Sequence, residues 1–279
     1  MNSAINYFKA RQWAFSFIEA HGLEADAADL LLCDQMGWNE AQLLMHFRDP
    51  MPDEEWQQYQ TNVQKFVDGW PAQYLTGKAF FYGLQLKVTE ATLIPRPETE
   101  ELVDWILADY DEQPINLLDV GTGTGAIGLA LKAQRPTWDV TLSDISTDAL
   151  AVAKQNATVL NESVKFVQSD LLNDVDGKYD VIVSNPPYIA EDERKYMDCS
   201  VLEHEPELAL FAPHHGLAIY QRIAAECSSY LKPHTRMYFE IGFHQGQAVK
   251  QIFEKQFPQA SVEVRQDINH HDRMVRVKF

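Results

Sequence analysis

The sequence predicts an α/β protein: a seven-stranded, mainly parallel sheet that ends in an antiparallel hairpin and is preceded by a small all-α bundle. Three observations predict it. From about residue 98 short apolar runs alternate with helical stretches, as in a parallel sheet. The last two runs, around Val264 and Val277, are separated only by Gln266 to Asp272, too few residues for a parallel crossover but enough for a hairpin. The first 75 residues or so carry helical spacing alone.

The elements follow in order. Tyr7, Phe8, Phe15 and Ile18 lie at near-helical spacing, with Gly22 as a stop. Asp26 is the expected cap of a helix through Leu30-Leu31-Leu32 that ends near Gly37, and Asn39 caps another through Leu43, Leu44 and Phe47. Pro52-Asp53-Glu54-Glu55 starts a fourth helix with an acidic first turn, and Trp56, Tyr59, Val63, Phe66, Val67 and Trp70 form its apolar stripe. The predicted organisation is a helical bundle over 1–75 that serves the fold and substrate recognition, a β-hairpin linker over 76–95 marked by Gly77 and Gly83, and a catalytic domain over 96–279. In Pro95-Arg96-Pro97 the arginine either orients an acidic group near the cleft or ties the linker to the domain through an ion pair.

Strands centre on Leu118, Thr141, Phe166, Ile182, Tyr238, Val264 and Val277. The first, Asn116–Val120, runs into Gly121-Thr122-Gly123-Thr124-Gly125 and then a helix, the opening unit of a nucleotide-binding sheet. The turn is neither G-x-G-x-x-G nor a phosphate-cradling G-x-x-x-x-G-K-[ST], and Asp119 before it repels phosphate. Asp119 suits an amino-bearing ligand or orients the glycine loop by hydrogen bonds. Asp144 ends the second strand, where it can accept from both hydroxyls of a ribose; it can also cap the next helix, a task open equally to Thr147 or Asp148, so the ribose role is favoured. Asp170, after the third strand, reads equally as an acceptor for an adenine amine, with Leu171 packing on the ring, or as an ordinary loop carboxylate. S-adenosyl-L-methionine fits this set: ribose, adenine, an amino-acid tail and no phosphate.

Asn185-Pro186-Pro187-Tyr188 follows the fourth strand and reads as a grip for a planar NH2 group. The prolines remove two backbone donors and stiffen the turn, the Asn185 oxygen and the Pro186 carbonyl accept from the amino group, and Tyr188 lies along its flat face. In an open sheet ligands bind at the carboxyl ends of the strands, so the glycine loop, Asp144, Asp170 and the tetrapeptide converge on one cleft. The stretch from Ile189 to His215 shows little apolar periodicity and reads as a lid or docking loop, with Glu203 and Glu205 as candidate contacts.

The 279 residues are 46% hydrophobic, enough for a sizeable core, and contain no run approaching the roughly 18 apolar residues of a membrane span. The start, Met1 to Lys9, lacks the layout of a secretory signal, and Cys33, Cys199 and Cys227 fit neither a disulfide framework nor a C-x-x-C site, so the cytoplasm is expected. The pairs His214-His215 and His270-His271 have no zinc spacing, and no metal is expected. With 41 acidic against 23 basic residues the net charge is −18, which argues against a nucleic-acid grip and suits either solubility or steering of a basic protein partner.

The chain resembles the peptide-chain release factor glutamine methyltransferases, the HemK type, over most of its length. The resemblance is carried by Pro71-Ala72-Gln73-Tyr74-Leu75-Thr76-Gly77, Phe81-Tyr82-Gly83, Leu93-Ile94-Pro95-Arg96-Pro97-Glu98-Thr99-Glu100, the glycine loop, Asn185–Tyr188, Glu205-Pro206-Glu207-Leu208-Ala209-Leu210 and Glu240-Ile241-Gly242. One departure is His270, where a glycine is expected. The resemblance implies a Rossmann-like methyltransferase sheet, S-adenosyl-L-methionine as methyl donor, and a glutamine in the Gly-Gly-Gln loop of class-1 release factors as acceptor. A monomer without direct nucleic-acid or membrane contact is expected. The alternative is an adenine-amino methyltransferase acting on DNA or RNA, which presents a similar NH2 on a flat group but must flip its base and hold phosphates.

Overall fold

A computed structural model describes residues 5–279; positions 1–4, the start of the segment read for a secretory signal, lie outside the described residues. The chain divides into two compact units. One runs to Lys78 and takes in Asp198–His204; the other comprises Ala79–Met197 and Glu205–Phe279.

In the first unit α1 (Tyr7–Ala20), α2 (Ala27–Met36), α3 (Glu40–His46), α4 (Asp53–Val67) and α5 (Ala72–Thr76) enclose a core of Ala10, Ala14, Ile18, Leu31, Leu32, Tyr59 and Val63. Asn39 and Gln42 cap α3 reciprocally, each side chain accepting from the other's backbone N–H at 2.9 Å. Asp26 precedes α2 as expected but already has helical backbone angles, so its side chain makes no cap hydrogen bond. At α4 Pro52 takes the cap position, and Asp53, Glu54 and Glu55 fill the first turn, where negative charge meets the positive end of the helix dipole.

The second unit opens with β1 (Lys78–Phe81) and β2 (Leu84–Lys87), joined by Tyr82-Gly83. Both turn residues have positive φ, 49° and 74°, the mirror-image turn that matches hairpin twist. There follow α6 (Glu98–Asp109), β3 (Asn116–Val120), α7 (Ala126–Gln134), β4 (Asp139–Asp144), α8 (Thr147–Leu160), β5 (Lys165–Gln168) and β6 (Tyr179–Ser184). Beyond a 3₁₀ turn at Glu191–Tyr196 and α9 (Cys199–His204), which belongs to the first unit, come α10 (Glu207–Leu210), α11 (Ala218–Glu226), β7 (Leu231–Glu240), α12 (Gly246–Gln256), β8 (Ser261–Gln266) and β9 (Asp272–Lys278). The sheet order is β5-β4-β3-β6-β7-β9-β8. The first five in that order pair parallel, and β9 runs antiparallel to both β7 and β8. The chain reverses direction across the sheet between β3 and β6, which makes the carboxyl ends of those strands the switch point where open α/β sheets bind ligands. Two apolar clusters, one around Leu102, Leu131 and Trp138 and one around Ile182, Tyr220 and Phe239, pack the unit.

Two expectations are revised. The stretch from Ile189 to His215 is not a bare loop: it holds the 3₁₀ turn, α9, α10 and a bridge between Ile189 and Phe211. Its turns are four to six residues long, too short for apolar periodicity to register. Its Glu205 is buried and engaged within the protein, as described below, whereas Glu203 is exposed. His270 adopts φ +61° in the turn between β8 and β9, which is the physical reason a glycine suits that position. Among the described residues the cysteines are unpaired, no helix is long and apolar enough to cross a membrane, and no cluster could hold a metal ion.

Candidate active site

A cavity of about 450 Å³ opens at the carboxyl ends of β3 to β6. Its wall includes Gly121 to Thr124, Asp144, Asp170 with Leu171, and Asn185 with Pro186 and Pro187. The four sequence segments expected to converge do meet there. Asp119, Gly125 and Tyr188 are not in the wall; they stand behind it.

The glycine loop leaves β3 with Gly121, Gly123 and Gly125 at φ 72°, 55° and 84°, angles that side chains rarely accept. The amides of Gly121 and Thr122 both donate to Ser143 O at 2.9 Å, which ties the loop to β4. Asp119 braces the loop from below: its Oδ2 accepts from Thr122 Oγ1 at 2.6 Å and from Gly128 N at 3.0 Å. Asp119 is 1% exposed, and its Oδ1 is buried without a partner. Burial pushes its carboxyl up to about 7, against the pull of those two hydrogen bonds and with a smaller push from Asp144.

Asp144 closes β4 with one carboxylate oxygen accepting from Gly123 N at 2.8 Å and the other from Ser146 N at 2.9 Å. Its carboxyl is also raised by burial, opposed by these backbone donors. The cap of α8 is Ser146, whose Oγ accepts from Ala149 N at 3.1 Å, so neither Thr147 nor Asp148 caps it. Each Asp144 oxygen keeps a lone pair for a ligand hydroxyl. Asp170 is gripped by Arg222 of α11 through two hydrogen bonds of 2.9 and 3.1 Å, and Leu171 follows at φ 56°.

At the end of β6, Asn185 Nδ2 donates to Thr99 Oγ1 at 3.3 Å, and Thr99 Oγ1 donates to Glu240 Oε2 at 2.5 Å. Tyr188 donates its hydroxyl to Glu240 Oε1 at 3.2 Å. Its ring packs on the apolar cluster behind the prolines, not across the cavity face where the sequence reading set it. Gln245 Nε2 donates to Tyr188 O at 2.8 Å and to His215 O at 3.1 Å. Gly216 lies so close that a Cβ there would sit 1.9 Å from Tyr188 O. The tetrapeptide is therefore clamped from several sides. Arg96 satisfies both of its readings: it lines the cavity and bonds buried Glu205 at 2.6 Å.

Sequence reasoning assigned no site role to Thr99, Glu240 or Arg222. Glu240 carries the signal that found Asp144, a carboxylate ending an apolar strand. Arg222, on a helix 52 positions from Asp170, carries none.

The PrmC N-terminal domain model matches residues 9–77, and the Methyltransferase small domain model matches residues 100–204. The chain is 44% identical to a release factor glutamine methyltransferase of Enterococcus faecalis, over 97% of this chain and 98% of that protein. It is 45% identical to one of Lactococcus lactis, over 86% of this chain and 89% of that protein. The chain belongs to the release factor glutamine methyltransferase family. A crystal structure of a methyltransferase from Pyrococcus furiosus, 18% identical, has the same fold with a TM-score of 0.54 over 71% of this chain and 89% of that one. Membership makes the protein a methyltransferase that uses S-adenosyl-L-methionine, and it does not favour the adenine-amino alternative.

The residues present fit that methyl donor. Asp144 offers two acceptors to a diol, the glycine loop offers close backbone approach, and Leu171 and Ile145 contribute apolar wall. The wall carries Asp144 as an acceptor beside the Arg222–Asp170 pair.

Proposed function

We propose that the protein methylates the side-chain amide nitrogen of a glutamine in the Gly-Gly-Gln loop of class-1 peptide-chain release factors. One observation carries the reading: Asn185, on the cavity wall, directs Nδ2 to Thr99 and so keeps its acceptor end for a substrate NH2.

An amide nitrogen is a poor nucleophile because its lone pair is delocalised into the carbonyl. Asn185 Oδ1 and the Pro186 carbonyl accept the two N–H bonds of the substrate amide, which favours a pyramidal nitrogen with a localised lone pair. Pro186 and Pro187 hold those acceptors rigid. Asp144 and the loop Gly121–Thr124 hold the methyl donor, with Asp170 and Leu171 at its base, while Asp119 and Gly125 set the loop's shape. When bound, S-adenosyl-L-methionine supplies an electrophilic methyl group on a sulfonium centre. Orientation of this kind contributes up to about 7–11 kcal/mol. The nitrogen loses its proton after methylation, when it is strongly acidic, so no dedicated base is required.

The helical unit serves substrate recognition in the same reading, and the net charge of −18 suits a basic protein partner. The reading also assigns the protein to the cytoplasm, as a monomer without direct nucleic-acid contact. The test is mass spectrometry of a release factor incubated with enzyme and isotopically labelled methyl donor. A labelled methyl on the loop glutamine is the expected result. Label on nucleic-acid adenine, or on neither, would overturn it.

A further inference from the structure

We infer that Thr99 and Glu240 are positioning residues that decide which end of the Asn185 carboxamide meets the substrate. The inference rests on the reading that Asn185 holds the glutamine amide. An asparagine ends in an acceptor oxygen and a donor NH2 of nearly equal size, and only the oxygen can hold a substrate NH2. A carboxamide turned end for end would present a donor to a donor.

A chain of hydrogen bonds forbids that turn. Glu240 is 2% exposed, and both of its carboxylate oxygens accept from hydroxyls, Oε2 from Thr99 and Oε1 from Tyr188. The Thr99 proton is therefore committed to Glu240 Oε2, 2.5 Å away. Thr99 Oγ1 is left with lone pairs, to which Nδ2 of Asn185 can donate at 3.3 Å and Oδ1 cannot. The carboxylate is itself anchored. Burial raises its carboxyl above the ordinary range, the hydrogen bonds from Thr99 and Tyr188 and the positive charge of Arg273 oppose that rise, and the Tyr220 hydroxyl holds the Glu240 backbone carbonyl at 2.6 Å. Each bond sets the direction of the next, from the accepting carboxylate to the cavity wall.

The arrangement makes a specific prediction about a near-isosteric change. In Glu240→Gln the new amide can donate to Thr99 Oγ1, which frees the Thr99 proton for Asn185 Oδ1 and reverses the relay. Thr99→Val breaks the relay without reversing it, and Thr99→Ser retains it. With release factor as acceptor, kcat is expected to fall about tenfold in Thr99→Val and roughly a hundredfold in Glu240→Gln, with methyl-donor affinity within about twofold of the parent in each. Thr99→Ser is expected to stay near the parent. In the Thr99→Val background, Glu240→Gln is expected to add nothing, because the effects act through one chain.

Parent-level kcat in both Thr99→Val and Glu240→Gln, or effects that simply multiply in the double variant, would overturn the inference. A parent enzyme inactive on release factor would instead overturn the substrate reading. The relay then stands or falls on a substrate-free measurement: hydrogen exchange of the Asn185 side-chain NH2 in ¹⁵N-labelled protein, its resonance assigned by its loss in Asn185→Ala. Protection in the parent and in Thr99→Ser but not in Thr99→Val supports the relay; equal exchange in all three refutes it.

Discussion

The two ends of the same sheet treat their polar side chains differently. At the amino ends of the strands, carboxylates are spent on the protein itself. Asp180 Oδ2 accepts from Asn116 N and from Lys232 Nζ, each at 2.7 Å, and Asp109 accepts from Tyr238 at 2.6 Å while pairing with Arg276. At the carboxyl ends, acceptor capacity is left over. Asp144 and Asp170 each accept one hydrogen bond per carboxylate oxygen and retain further lone pairs, and Asn185 commits one end of its carboxamide. Carboxylates used up within the fold stabilise it, and those in the cavity wall that are held rigid with acceptor capacity to spare mark where a ligand belongs.

Variants can break or sharpen this contrast. The largest effect is expected at Asn185. Asn185→Ala should lower methyl transfer on the order of 10²–10³-fold, by analogy with lost oxyanion donors, and leave methyl-donor affinity in calorimetry nearly intact. Equal loss of affinity and turnover would detach Asn185 from the acceptor amide. Next, Asp144→Ala should weaken methyl-donor binding about 10- to 100-fold by calorimetry, since it removes two acceptors and the brace on Gly123. Unchanged affinity would remove this carboxylate from the site.

A third effect is read in stability. Asp119 is protonated up to about pH 7 in the fold and only to the ordinary carboxylate range when unfolded. The folded pKa is thus raised, so the favourable contribution is fully present below about pH 4 and is lost as pH rises through about 7. Asp119→Asn, which never ionises, should gain on the parent by roughly 1–3 kcal/mol between pH 5 and 8 in denaturant titrations of ligand-free protein. A pH-independent difference would show that the carboxyl is not perturbed. The smallest effect belongs to the amino end: Lys232→Met should cost about 0.5–1 kcal/mol of stability, its pair with Asp180 being part-exposed, and leave methyl transfer unchanged. A fall in turnover there would dissolve the contrast between the two ends.

The sheet was legible because its strands carry apolar runs and its connections carry turn chemistry, both local in sequence. The cleft was legible for a related reason: each site segment ends a strand, and topology alone brings strand ends together. What escaped was long-range. Thr99 meets Glu240 across 141 positions, and nothing in either neighbourhood announces the other. Tyr188 was misdirected because an aromatic after two prolines says nothing about which side of the turn is core. Glu205 read as a surface contact because its partner, Arg96, lies 109 positions away. Asp26 shows a subtler limit, a residue of capping type at the cap position whose backbone is already helical.

The place of β9 has a consequence for biogenesis. Among the described residues it follows every other strand in sequence, yet it lies between β7 and β8 and bonds to both. Until it arrives, β7 has an open hydrogen-bonding edge, and Glu240 at its tip lacks the neighbouring strand that carries Arg273. Without β9 that carboxylate lacks the positive charge that offsets part of the cost of its burial. A released fragment ending before Asp272 would have an unpaired strand edge prone to aggregation and could not complete the anchor behind Asn185.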